Sequence, residues 1–97
     1  MNDAPPGGAE VRRVALICNM RGLHARAAAK FVNTAGRFDA KVTVSKGGME
    51  VSGQSIMGLL MLGAGPGTRI ELRAEGAQAE AVLAELAELI AAKFHED

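Results

Sequence analysis

The sequence predicts an α+β fold: an open-faced two-layer sandwich, with a four-stranded antiparallel sheet carrying three helices on one face in the order β-α-β-β-α-β-α. Three observations predict it. Residues 39–45 (DAKVTVS) and 68–74 (TRIELRA) alternate apolar and polar side chains with the period of a half-buried strand. Residues 25–36 and 77–94 instead repeat their apolar side chains at helical spacing. The length, 97 residues, allows one core and not two. With 48% apolar residues but only three Phe and neither Trp nor Tyr, that core must be aliphatic.

Each element follows from its own residues. MNDAPPGGAE has two prolines and two glycines in ten residues, so residues 1–10 read as a flexible tail before a domain over 11–97. VRRVALIC (11–18) is a strand, but it is apolar at both parities from Val14 onward, and alternation does not select its buried face. ARAAAKFVNTAG (25–36) forms a helix with Ala28, Phe31, Val32 and Ala35 in one stripe, Arg26, Lys30, Asn33 and Arg37 opposite, and Gly36 as the stop. In DAKVTVS the residues Ala40, Val42 and Val44 point inward. KGG is a turn, and MEVS returns as the second strand of a hairpin. SIMGLLML (55–62) is a short helix opened by Ser55 and closed by Gly63. GAGPG is a loop, and it lacks the lysine and spacing of a nucleotide-binding P-loop. TRIELRA presents Ile70, Leu72 and Ala74 to the core. The last helix buries Val82, Leu83, Leu86, Leu89 and Ile90 and shows Glu80, Glu85 and Glu88 to water.

Composition narrows the function. No apolar run is long enough for a membrane span, and residues 1–10 lack a secretory pattern, so a cytoplasmic protein without membrane insertion is expected. The lone Cys18 allows no internal disulfide and offers no metal-ligand cluster; no metal and no cofactor are expected. Eleven basic residues balance eleven acidic ones, and stacking aromatics are lacking, which argues against nucleic acid as a partner. The charge is uneven, however. Residues 1–46 carry eight Lys/Arg against three Asp/Glu, and residues 47–97 carry three against eight. A lopsided small domain steers an acidic partner onto its basic side.

RGLHARAAAKF (21–31) places His24 at a helix start with Arg26 two residues on. The unpaired N–H groups and the positive dipole end there favour a neutral, nucleophilic ring and suit a bound phosphate. Arg26 adds a guanidinium for charge-assisted hydrogen bonds to phosphate oxygens. The plain alternative is a histidine that only caps a helix. No second acid–base group is evident beside it, which disfavours a stand-alone enzyme, and His95 falls in a C-terminal tail expected to fray. In SIMGLLML, Leu59 and Leu62 share one side of the helix, whereas Ile56 and Leu60 share the other with Met57 at its edge. Only one side can be core, so the second is an expected docking patch.

These residues together resemble the histidine-containing phosphocarrier (HPr) family of the bacterial phosphotransferase system. Gly22, Leu23, His24, Ala25, Arg26 and Ala28 match its active-site pattern G-L-H-A-R-P-A. Ser55, Ile56, Met57, Gly58, Leu62 and Gly63 match its S-I-M-G signature at the usual separation. The resemblance implies a carrier, not an enzyme: enzyme I passes a phosphoryl group to His24, Arg26 holds it, and an enzyme IIA domain receives it. It further implies docking through Ile56, Met57 and Leu60, regulatory phosphorylation of Ser55 by an HPr kinase/phosphorylase, and action as a monomer. The alternative within the same fold is an HPr-like regulator acting mainly through Ser55. Two departures stand out: Ala27 replaces the family's proline, and a tail precedes the domain.

Overall fold

The computed structural model describes residues 10–96, and they form the expected sandwich. Strands β1 (Glu10–Leu16), β2 (Lys41–Lys46), β3 (Met49–Ser52) and β4 (Arg69–Glu75) build one antiparallel sheet in the order β1-β4-β2-β3. Helices α1 (Ala25–Ala35), α2 (Ile56–Met61) and α3 (Ala79–Ala91) complete the β-α-β-β-α-β-α order. The tail expected over residues 1–10 lies outside the described residues except for Glu10, which opens β1 and pairs with Glu75. Among the described residues no helix is long and apolar enough to cross a membrane.

The sheet settles what alternation in β1 left open. Ala15 and Ile17 are buried, whereas Val14 and Leu16 are exposed on the uncovered face. The central strand β4 sends Ile70, Leu72 and Ala74 into the core, between Val42 and Val44 of β2 and the α3 residues Val82, Leu83, Leu86 and Ile90. The β2–β3 hairpin turns through Gly47 and Gly48, both at positive φ (56° and 88°), the geometry that a two-residue turn between twisted strands requires.

Two elements depart from the expectation. Helix α1 buries Ala27 and Thr34 as well as Ala28, Phe31 and Ala35, so its inner stripe is broader than the apolar pattern suggests, and Val32 is only half-buried. Gly36 ends it in a right-handed conformation (φ −70°), with its N–H bonded to the Val32 carbonyl, not as a left-handed cap. Helix α3, expected to reach residue 94, stops at Ala91. Lys93, Phe94 and His95 then all lie at left-handed φ (57°, 55° and 59°) in one reverse turn, so His95 is held in place and not frayed.

That turn is costly, at about 1–2 kcal/mol for each non-glycine residue. It persists because Phe94 is fully buried, worth about 1.5–3 kcal/mol. Lys30 Nζ also donates to the Phe94 carbonyl at 2.6 Å, and a bond from a charged donor adds about 1.5–3 kcal/mol. Burial and cation together offset most of the strain.

Candidate functional site

The loop from β1 to α1 is shaped by Asn19 and Gly22. Asn19 is buried; its carbonyl accepts from the Gly22 N–H (3.1 Å), and its Nδ2 donates to the Gly22 carbonyl (2.8 Å). Gly22 has φ 66°, and a Cβ there would come within 2.5 Å of the Ala64 carbonyl oxygen, so no other residue fits. The close approach lets Leu23 N–H bond that same oxygen (2.9 Å), which ties the start of α1 to the glycine loop after α2.

His24 takes the N-cap position in extended conformation, and its carbonyl accepts from Ala28 N–H at 2.8 Å. Its side chain makes no capping hydrogen bond, so the ring is not the cap that the plain alternative supposed. Instead, Nε2 hydrogen-bonds the Glu96 carboxylate at Oε2. The second oxygen of Glu96 accepts from Asn19 Nδ2 at 3.0 Å. Both partners are mostly covered, with side-chain exposures of 21% and 16%. The bond from Asn19, then the one from His24, holds the Glu96 carboxyl below the usual carboxylate range, with the positive charge of Arg21 assisting and burial opposing. The depressed direction means that the contact contributes stability above the unfolded carboxylate's pKa and loses it as pH falls through the lowered value.

A cavity of about 310 Å³ lies at this spot, lined by His24, Glu96, Arg21, Arg26, Lys30 and His95, with Met20 at its edge. Three permanent cations around one imidazole suit an anion with several oxygens. The amides of Ala25, Arg26 and Ala27 begin α1 without intrahelical acceptors and strengthen that preference. Because Ala27 stands in place of proline, its N–H adds one donor to the set; the side chain is fully buried.

Ser55 opens α2, and its Oγ accepts from Gly58 N–H at 3.0 Å. Beyond it, Leu59 and Leu62 are buried as expected, while Ile56 (41%), Met57 (70%) and Leu60 (36%) face solvent together with Met61 (66%). The sequence pattern thus separated the two sides of α2 correctly. The structure brings His24 and Arg26 into one cavity and leaves Ser55, Ile56, Met57 and Leu60 on α2, outside its lining.

Sequence reasoning missed Asn19, Arg21, Lys30, His95 and above all Glu96. The expectation that no second acid–base group stands beside His24 is corrected by the Glu96 carboxylate, 72 residues away in the chain. Only the basic residues carried a signal, as part of the positive excess before residue 47.

A ring nitrogen set among cations at a helix start, on a small two-layer domain, suits the carrying of an anionic group. Comparison with known proteins agrees. The family model described as "PTS HPr component phosphorylation site" matches residues 11–92. The phosphocarrier protein NPr of Shewanella violacea is 44% identical over 87 residues, covering 90% of this chain and 96% of its own. The phosphocarrier protein HPr of Pseudomonas aeruginosa is 49% identical over 81 residues, covering 82% and 90%. The crystal structure of HPr-C-His from Thermoanaerobacter tengcongensis superposes with a TM-score of 0.86 at 40% identity, covering 90% of this chain and 98% of that one. The chain belongs to the HPr family, the phosphocarriers of the bacterial phosphotransferase system.

Proposed function

We propose that His24 is the phosphoryl acceptor of this carrier, receiving the group from enzyme I and delivering it to a histidine of an enzyme IIA domain in the cytoplasm, as a monomer. The observation that carries the reading is the uncapped ring of His24, in one cavity with Arg21, Arg26 and Lys30. Nε2 is engaged by Glu96, and Nδ1 has no hydrogen-bond partner among the described residues. Nδ1 is therefore the nitrogen with a lone pair free for phosphorus. Arg26 makes no ion pair with another described residue and is available to the phosphoryl oxygens.

Ile56, Met57 and Leu60 form the docking surface in this reading, an apolar patch whose methionines adapt to more than one partner. Ser55 is a regulatory phosphosite for an HPr kinase/phosphorylase. Its Oγ already lies at a helix N-terminus, where added negative charge is tolerated.

Incubation with enzyme I and phosphoenolpyruvate should add one acid-labile, base-stable phosphate to the wild type and none to His24→Ala. Equal labelling of both proteins would overturn the assignment of His24.

A further inference from the structure

The apolar side chains that the domain leaves in water are not a random sample. Among the described residues the three most exposed large ones are all methionines: Met20 (85%), Met57 (70%) and Met61 (66%). Met57 and Met61 stand four positions apart on α2, so they share one side of the helix, a turn apart. Ile56 and Leu60, each one residue before them, are exposed as well. Leucine would supply similar apolar volume and helix propensity at both positions, so an apolar patch alone does not call for sulfur. What the thioether adds is a second oxidation state. As the sulfoxide, methionine is polar and chiral, and the change is reversed enzymatically. The anchors of α2 lie elsewhere. Leu59 and Leu62 bury its other side, Ser55 caps its start, and Lys46 Nζ donates to the Leu62 carbonyl at its end (3.0 Å). The helix keeps all of them whichever state the sulfur atoms hold.

We propose that Met57 and Met61 form a reversible oxidation site that uncouples the carrier from its partners without unfolding it. The inference rests on α2 being the docking surface. In the forward step a sulfur lone pair attacks one oxygen of a peroxide and the O–O bond breaks. Sulfur is oxidised by two electrons, the peroxide is reduced, and with hydrogen peroxide the product that leaves is water. A thiol-dependent methionine sulfoxide reductase restores the thioether, releasing the oxygen as water while two thiols become a disulfide. On docking, a hydrated sulfoxide oxygen must give up its water against a surface complementary to apolar side chains, with no donor in return, and the contact weakens. His24 and its cations lie outside α2, so the chemistry of transfer stays intact.

The test uses the full chain with hydrogen peroxide as the probe. Peptide mass spectrometry should find one added oxygen at Met57 and at Met61. With enzyme I as donor, KM for the treated protein should rise about tenfold, with kcat and melting temperature near those of the untreated protein. Methionine sulfoxide reductases acting on both epimers should restore KM. Dithiothreitol alone should not, which separates the effect from oxidation of the exposed Cys18. A Met57→Leu/Met61→Leu protein should hold its own KM through the treatment, whereas a Met20→Leu/Met49→Leu protein should remain sensitive. Ile56→Glu reports on the docking surface independently: an unchanged KM in that variant removes the docking surface and this inference together. A raised KM in Ile56→Glu beside an unaltered KM in oxidised wild type overturns the oxidation site alone. Full sensitivity of Met57→Leu/Met61→Leu also overturns it, as does a fall in melting temperature on treatment that accounts for the lost transfer.

Discussion

The starts of α1 and α2 are built alike and used differently. Each has an extended N-cap residue that could satisfy first-turn amides: His24 in one, Ser55 in the other. Ser55 does so, accepting from Gly58 N–H, and α2 needs it because a helix of six residues is too short to persist on its own propensity. His24 does not. Helix α1 has eleven residues with Phe31 and four further side chains buried, and that packing keeps it without a side-chain cap. A helix secured by its core can leave its first turn and cap ring for chemistry. One secured by its cap cannot, and in the proposed function its exposed side serves contact instead.

If that division of labour holds, damage at α2 should appear as lost encounter and damage at α1 as lost chemistry. The largest effect is expected at the contact surface. Ile56→Glu or Leu60→Glu should weaken binding to enzyme I by about 2 kcal/mol, roughly thirtyfold, since a carboxylate would be desolvated on docking. Both side chains face solvent in the free protein, so the melting temperature should stay near wild type. Titration calorimetry and thermal melts check the pair of expectations; a collapsed fold would mean that this side of α2 is core.

At α1 the corresponding change is Arg26→Ala. It removes one guanidinium from the His24 cavity while leaving the buried stripe of the helix untouched. Loss of a charge-assisted bond to the phosphoryl group should slow transfer by about tenfold. Stability should change little, because Arg26 is exposed and pairs with no other described residue. Stopped-flow transfer from enzyme I beside a denaturant melt separates the two effects. A marked loss of stability with normal transfer would place Arg26 in the scaffold.

Legibility in the sequence follows the same line between local and long-range. Strands β2 and β4, the hairpin glycines, the Ser55 cap and the two sides of α2 were readable, because each depends on neighbours within a few residues. The placement of His24 and Arg26 together at a helix start was readable for the same reason. β1 was ambiguous, since an edge strand on an uncovered sheet tolerates Val14 and Leu16 outside as readily as Ala15 and Ile17 inside. The Glu96 contact was invisible: it requires a left-handed turn of Lys93, Phe94 and His95, residues with no preference for that conformation, and a partner at the far end of the chain. Helical periodicity pointed the other way, continuing α3 through Phe94, and tertiary burial of that ring prevailed.

The smallest expected effect falls on Ser55, and it separates a cap from a switch. Removing the hydroxyl in Ser55→Ala leaves Gly58 N–H without its acceptor and should cost about 1 kcal/mol, lowering the melting temperature by about 4–8 °C in a domain of this size. Transfer should be nearly unchanged, because His24 and its cations lie outside α2. Aspartate caps as well as serine, so Ser55→Asp should melt like wild type. It nevertheless sets a negative charge one residue before Ile56, at the edge of the exposed apolar side. A partner complementary to the basic part of this domain then meets like charge, and its association rate falls. Phosphoserine, with roughly two negative charges, should slow transfer further. Comparing the three proteins in transfer and in melts therefore gives opposite patterns: alanine loses stability and keeps its rate, aspartate keeps stability and loses rate. Equal transfer rates for all three would leave Ser55 as a cap alone.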